Sequence, residues 1–462
     1  MRVHRACVDK VFDRLDANLS ATRQQLEALI RIPSVSADPA RAEHVRNSAE
    51  AFAQILRDAG ATNVAVLAVP DAHPIACGDF IASQDAPTLL VYGHHDVQPS
   101  GRADQWFSPP FEPVERDGRL YGRGAVDDKG GILAQIAAAK AWMDEANAPP
   151  CNVRFLIEGE EEIGSPHLAA FFAAHPDRIA ADIVALCDTP NFATGVPALT
   201  YRLRGNCLID VEVRTLERPL HSGRGGGAVP DPIQILCALI NDLGTLDFLR
   251  SAAAELPLSK AAAAAAALHT ESDLRKDFGL LPGVDFSCED GFSPLEQTWL
   301  RPALTVTAIE ARPIAEASNQ IVDSARARLS IRTVPNLDNE QVGRAVMQRI
   351  AEQTAHHAQV NVRILGGPAW WRTNPEGPAF DAARRALARG YGRDAVLIGS
   401  GGSIGFVRTF ADALPHAPCL LLGVEDPPCN AHAENESLDL ADWRSAMRAA
   451  ASLFDELSRV RA

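Results

Sequence analysis

Several short runs of this chain are apolar at nearly every position rather than at alternate ones: Thr88–Tyr92, Val153–Ile157, Ile183–Cys187, Val396–Ile398 and Cys419–Val424. Runs of that length and character read as strands buried on both faces. Between them lie segments of helical length with one apolar face, namely Leu19–Ile30, Ala42–Ala59, Gly131–Ala146 and Phe380–Ala388. Strands that alternate with helices predict an α/β domain built on a mostly parallel sheet flanked by helices. The middle of the chain follows a different rule. Tyr201–Thr215 and Ala325–Thr333 alternate apolar and polar residues, Thr305–Ile309 and Val360–Ile364 are similar short runs, and the helical stretches Pro232–Leu243 and Asn339–His356 lie among them. That pattern predicts a smaller α+β unit, one sheet with a single face covered by helices.

The expected organisation is an α/β domain made of residues 1–198 and 368–462, with a smaller domain inserted at 199–367. Gly366-Gly367-Pro368 is the natural re-entry hinge, paired with one near Leu199. Residues 244–300 form an insertion of unassigned role, and the alanine run within Ser259–Leu268 favours a structural helix.

Three of the buried strands run straight into residues that bind metals. Thr88–Tyr92 leads to His94 and Asp96, Val153–Ile157 to Glu161 and Glu162, and Ile183–Cys187 to Asp188. Open α/β sheets bind ligands beyond the carboxyl ends of their strands, so these residues are expected at one edge. Asp127, in Val126-Asp127-Asp128-Lys129-Gly130-Gly131, and His432, in Ala431-His432-Ala433-Glu434, complete a set of two imidazoles and three carboxylates with a spare glutamate. Such a set suits two zinc-class ions sharing a water, with manganese or cobalt as substitutes. Two divalent ions carry four positive charges; Asp127, Glu162, Asp188 and a shared hydroxide balance them with both histidines neutral. Paired ions of this kind acidify their water and polarise a carbonyl, which points to a hydrolase. Glu161 is placed to take the proton and hand it to a leaving amine. Asp96 is placed to accept a hydrogen bond from the far nitrogen of His94. Asp128 doubles as a helix N-cap in this reading.

Plainer readings apply to other residues. His95 points away from His94 on an extended chain and is expected to be structural. His356 and His357 read as a solvated face, and Cys187 as a small buried hydrophobe. The phosphate-loop pattern is absent around Lys129, so nucleotide binding is not expected.

Composition narrows the partners. The net charge of -15 argues against nucleic acid and anionic membrane. No apolar run approaches the ~20 residues that span a bilayer, and no signal-peptide core opens the chain, so a cytoplasmic setting is expected. The nine dispersed cysteines include no Cys-x-x-Cys pair and read as free thiols.

These motifs resemble the co-catalytic zinc family of acetylornithine deacetylase, succinyl-diaminopimelate desuccinylase, glutamate carboxypeptidase and the carnosinase-type cytosolic dipeptidases. The resemblance runs from about Leu26 to Asp439, and Tyr92-Gly93-His94-His95-Asp96-Val97-Gln98-Pro99 looks most like its dipeptidase branch. It implies one ion held by Asp127, Glu162 and His432, the other by His94, Asp127 and Asp188, and a cis Asp127–Asp128 peptide. An aspartate at position 188 tends to accompany dipeptidases and aminopeptidases, and a glutamate deacylases. Leu220-His221-Ser222-Gly223 resembles the lid motif whose histidine steadies the oxyanion in the neighbouring subunit, which implies a homodimer. Ser330-Ile331-Arg332-Thr333 resembles the segment whose arginine grips the substrate carboxylate. Ser400-Gly401-Gly402-Ser403 resembles the loop lining the same pocket, and Asn319 sits near a lid-domain substrate contact. Two departures stand out: Arg224-Gly225-Gly226-Gly227 after the lid histidine, and Glu160, a third consecutive acid. The expected reaction is hydrolysis of short peptides, above all dipeptides with a free amino terminus. An N-acyl-amino-acid deacylase is the alternative, and a non-catalytic metal-binding protein on the same fold a more distant one.

Overall fold

The computed structural model describes residues 2–251, 264–265 and 268–460. Most of the Ser259–Leu268 alanine run lies outside the described residues. The largest sheet has nine strands. At its centre Asn152–Glu158, Thr88–His94, Ile183–Leu186 and Cys419–Leu421 lie side by side and all parallel. Antiparallel strands flank them: Ile75–Phe80 and Thr62–Leu67 on one side, Ala198–Leu203 and Trp371–Arg372 on the other. Val396–Ser400 joins Ala198–Leu203 in parallel.

Both faces of this sheet are covered, which is why its central strands are apolar throughout. Leu89 and Val91 face a core that includes Phe155 of the neighbouring strand and Phe52, Trp142, Phe380 and Trp443, contributed by the helices Ala42–Asp58, Lys129–Ala146, Pro378–Tyr391 and Leu440–Leu457. Leu90 and Tyr92 face the other side, against Phe171, Phe406 and Phe410 from Leu168–Ala174 and Gly405–Ala413. Neither Gly405–Ala413 nor Leu440–Leu457 was expected from the apolar pattern.

The alternating run Tyr201–Thr215 is not one strand. It breaks at Arg204: Ala198–Leu203 belongs to the large sheet and Gly205–Arg214 to a separate four-stranded antiparallel sheet. The order in the latter is Ala303–Glu310, Ser324–Thr333, Gly205–Arg214 and Gln359–Gly366. One face packs on Pro232–Leu243 and Asn339–Gln353 through Ile209, Val211, Leu236, Leu329 and Val346. The sheets therefore divide the chain near Arg204, a few residues later than the boundary expected at 199.

The two passages between sheets run side by side. The Asn206 N–H donates to the Pro368 carbonyl at 2.8 Å, and Asn339 Nδ2 donates to the Gly367 carbonyl at 2.9 Å. Gly367 has φ of 144°, and a Cβ there would overlap the Asn206 carbonyl, so only glycine fits this crossing. Asn339–Gln353 ends before the expected His356; His356 and His357 follow in left-handed conformations and are exposed. Within 244–300, Trp299 and Leu300 pack on Phe192, Ala198 and Ile398, which fastens that insertion to the large sheet. No helix among the described residues is long and apolar enough to cross a membrane.

Candidate metal centre

The parallel strands bring the expected ligands to one edge, where their side-chain atoms form two overlapping groups. His94, Asp127 and Asp188 make one and Asp127, Glu162 and His432 the other, with the donor atoms of each group within 4.8 Å of one another. His94 Nε2 lies 2.9 Å from Asp127 Oδ1 and 3.8 Å from Asp188 Oδ2. His432 Nε2 lies 2.9 Å from Asp127 Oδ2 and 3.3 Å from Glu162 Oε2. Donors around a tetrahedral zinc, each ~2.0–2.2 Å from the ion, are about 3.4 Å apart. The spacings here bracket that value.

The donor set fits such ions for a further reason. His94 is fully buried, and its Nε2 makes no hydrogen bond despite the carboxylate beside it. A buried imidazole nitrogen left in that state is one that a bound ion would satisfy. Asp127 offers one oxygen to each histidine, the arrangement of a carboxylate shared by two ions. Its peptide to Asp128 is cis, as the resemblance implies.

Electrostatics without cations are unfavourable. Burial raises the pKa of Glu161 well above the carboxylate range, reinforced by Asp188, Glu162 and Asp127. Burial and Asp127 bring Glu162 up to about 7. His432 is pushed up to about 11 by its contacts with Asp127 and Glu162. Burial alone would lower His94, but Asp127, Asp188 and Asp96 more than offset it. So many acids converging on two imidazoles is a charge problem that divalent ions resolve.

Supporting contacts hold this geometry. Asp96 is buried and accepts from Ser36 Oγ at 2.6 Å and from the Glu161 and Glu162 N–H groups at 3.2 and 3.1 Å. The expected Asp96–His94 link is shared: His94 Nδ1 lies 3.1 Å from the Asp96 carbonyl and 3.4 Å from its carboxylate. Asp128 does not act as a side-chain N-cap. Its Oδ2 accepts from the His94 N–H at 3.2 Å. A Cβ at Gly93 or Gly131 would overlap that carboxylate, so both positions require glycine. His95 is structural as expected, with Nε2 2.9 Å from the Pro74 carbonyl. Cys187 is buried. The unexpected Glu160 accepts from the His73 N–H at 2.8 Å and contacts His167 Nδ1 at 2.8 Å, steadying the loop that carries Glu161.

Two buried residues that sequence reasoning passed over tie the ligand loops together. Arg123 Nη1 donates to Glu436 Oε2 at 2.6 Å, and its Nη2 reaches the carbonyls of Pro99 and Ala433 at 3.1 and 3.2 Å. Glu436 Oε1 accepts from the N–H groups of Gly124, Val126 and Asp127 at 3.0, 3.2 and 3.3 Å. The loops after His94, before Asp127 and around His432 thus meet at one ion pair. Gln98 likewise grips Glu162, donating from Nε2 to Oε2 at 2.7 Å. Gln98 sat inside the Tyr92–Pro99 motif, whereas Glu436 lies beyond the Ala431–Glu434 segment and had no local signal.

The expected substrate-binding residues fall into two places. Arg332, on the four-stranded sheet, donates from Nη1 to Ser403 Oγ at 2.7 Å, so Arg332 and the Ser400–Ser403 loop with Gly402 do come together. Arg204, unnoticed in the sequence, supports that loop: its Nε donates to the Gly401 carbonyl at 3.1 Å. His221 and Asn319 lie on a separate two-stranded ribbon, Leu220–His221 against Gln320–Ile321, where the Ser222 N–H donates to the Asn319 carbonyl at 2.8 Å. His221 is exposed. Among the described residues no hydrogen bond or ion pair joins this ribbon to the metal-type cluster.

A mixed α/β fold with two carboxylate–histidine groups at the carboxyl edge of its parallel strands defines a metal-dependent hydrolase. The pattern of peptidase family M20/M25/M40 matches residues 90–456, and the chain belongs to that family. It is 32% identical over 437 residues to the cysteinylglycine-S-conjugate dipeptidase of Corynebacterium striatum, covering 93% of this chain and 95% of that protein. It is 30% identical to a Cys-Gly metallodipeptidase of Schizosaccharomyces pombe, covering 98% and 99%. Among solved structures, the di-peptidase Dug1p from Saccharomyces cerevisiae superposes with a TM-score of 0.83 at 27% identity, covering 98% of this chain and 99% of that one. Human carnosine dipeptidase 1 gives 0.81 at 25%, covering 98% and 99%.

Proposed function

We propose that this chain hydrolyses dipeptides bearing a free amino terminus. The observation that carries the reading is the pair of donor groups sharing Asp127, with Glu161 on the short segment that also carries Glu162. Two divalent ions, zinc in our reading, would be held by His94, Asp127 and Asp188 and by Asp127, Glu162 and His432, and would supply Lewis-acid polarisation and an acidified water. Glu161 accepts a proton from the attacking water and delivers it to the nitrogen of the leaving amine. Asp96 acts through others: by accepting the Glu161 and Glu162 N–H groups it fixes the loop that carries them. Arg332 and Ser403, already in contact, bind the substrate carboxylate with the Gly402 backbone beside them, a task suited to a forked guanidinium. Asn319 contributes a further substrate contact.

The exposed position of His221 supports a homodimer in which this residue serves the partner's site, with the four-stranded sheet acting as a lid domain. The absence of a clustered cysteine framework suits a cytoplasmic setting. The Asp188 side chain, an aspartate rather than a glutamate, favours unblocked dipeptides over acylated amino acids. The test is amine release from unblocked dipeptides and matched N-acetyl and N-succinyl amino acids, with added zinc or manganese, by the wild type and Glu161→Ala. Turnover of dipeptides that disappears in the variant is expected. Preference for acylated substrates transfers the reading to a deacylase, and no turnover with both ions bound to a non-catalytic protein.

A further inference from the structure

Four parallel strands end at the catalytic edge, and three of them are accounted for by His94, Glu161 with Glu162, and Asp188. The fourth, Cys419–Leu421, leads to Glu425, which has no role so far. Leu421 lies opposite Leu186, and the Leu422 N–H donates to the Leu186 carbonyl at 2.8 Å. The pairing resumes at Pro190 opposite Glu425, where the Asn191 N–H donates to the Glu425 carbonyl at 2.6 Å. In this register Gly423 stands opposite Asp188. A Cβ there would overlap the Thr189 carbonyl, so the backbone leading to Glu425 presses directly against the segment carrying Asp188. Burial, reinforced by Asp188 and Asp127 and opposed by His432, raises the pKa of the Glu425 carboxyl well above the carboxylate range, so the site as it stands lacks a cation there.

Glu425, like Glu161, has no side-chain partner among the described residues, but unlike Glu161 it has no part in the reaction proposed above, and two acids near it are firmly held. Asp426 is gripped by Arg119, at 2.7 and 2.6 Å, and by Thr194, at 2.5 Å. Glu436 has Arg123 and three backbone amides. Among the described residues, no hydrogen bond or ion pair reaches the Glu425 side chain, although the residue remains partly accessible to solvent. A structural acid in such a place would be costly without a donor. The arginine proposed above to bind the substrate carboxylate mirrors this. Arg332 contacts Ser403 and has no carboxylate partner among the described residues. Asp127, Glu162, Asp188 and a shared hydroxide already balance two divalent ions, so the metals do not call for Glu425.

We infer that Glu425 binds the amino-terminal ammonium of the substrate, so that an acidic pole at Glu425 and a basic pole at Arg332 together select a zwitterionic dipeptide. This assignment rests on the dipeptidase reading and names the residue that enforces it. A charge-assisted hydrogen bond from the ammonium supplies the missing donor. An uncharged acyl end supplies no such donor, so the discrimination comes from the bond that only the ammonium makes.

The test compares wild type, Glu425→Gln and Glu425→Ala, each checked for two bound zinc ions per chain. The substrates are alanyl-glycine and propionyl-glycine, which differ only by the amino group. Glu425→Gln is expected to raise KM for alanyl-glycine tenfold or more with kcat nearly kept, and to change kcat/KM for propionyl-glycine less than twofold. Calorimetric titration of alanyl-glycine into zinc-loaded Glu161→Ala, with and without Glu425→Gln, is expected to show a matching tenfold loss of affinity. Retained discrimination in both variants, or loss of a zinc ion from either, overturns the assignment of Glu425 while leaving the dipeptidase reading intact. Wild-type preference for propionyl-glycine overturns both.

Discussion

Replacing Glu436 with glutamine alters one functional group at a point where three ligand-bearing loops converge. In the wild type one carboxylate oxygen accepts Arg123 Nη1 and the other accepts three backbone N–H groups. Glutamine has a single acceptor oxygen. It can serve the guanidinium or the amides, and its NH2 group must then face donors on the other side. The guanidinium is 1% exposed and the carboxylate fully buried, so water cannot compensate. Breaking a buried ion pair from one side costs about 3–5 kcal/mol. Because Asp127 follows directly on the amides that Glu436 holds, metal affinity should fall by roughly the 10–100-fold typical of lost supporting contacts. The assay is urea unfolding of the metal-free protein at pH 7.5, with zinc titration against a competing chelator. Arg123→Met combined with Glu436→Gln removes the stranded charge and should recover a coupling energy of about 2 kcal/mol. Single variants within ~1 kcal/mol of wild type, well short of the buried-pair cost, or a double variant worse than the sum of the singles, would refute this account.

Asp96→Asn keeps one acceptor for two N–H groups and a hydroxyl, so zinc affinity should fall by about 10–100-fold together with kcat, as measured by chelator competition and turnover. Arg332→Ala should raise KM for dipeptides by about 2–4 kcal/mol of lost binding, and much less for their carboxyl-terminal amides, which a paired substrate series will reveal. Asp442 is buried, and burial raises its pKa from 3.8 to about 6 despite hydrogen bonds from the Gly195 N–H. The unfolded chain therefore ionises first as pH rises from 4 to 6, and the folded state loses up to about 3 kcal/mol over that window. Asp442→Asn should abolish that loss, so its melting temperature should gain on wild type between pH 4.5 and 7.5; a constant difference would count against it.

What was legible in the sequence followed from how each element is buried. The central strands announced themselves because helices cover both faces, leaving Leu89 to Tyr92 no polar alternation. Thr62–Leu67 went unseen because it is a partly exposed edge strand with no clean apolar pattern. Tyr201–Thr215 misled for another reason: parity persists through Arg204, and alternation carries no sign that the strand changes partners. All five expected metal-type ligands converge, since strand ends and short motifs locate them. Arg123 and Glu436 lie 313 residues apart, and no local pattern reveals such a pair. Glu425 stayed hidden because Val424-Glu425-Asp426-Pro427-Pro428 reads as a plain turn.

The side-by-side crossings between the two sheets make the smaller one a removable cassette. Leu203, before the outward passage, pairs antiparallel with Trp371, after the return, so the large sheet closes on itself without the intervening residues. A tight Asn-Gly hairpin in place of residues 204–370 would join ends that are already neighbours. The shortened chain would keep all five metal-type ligands but would lose Arg332 and uncover Phe192, Ala198 and Ile398, on which Trp299 and Leu300 pack.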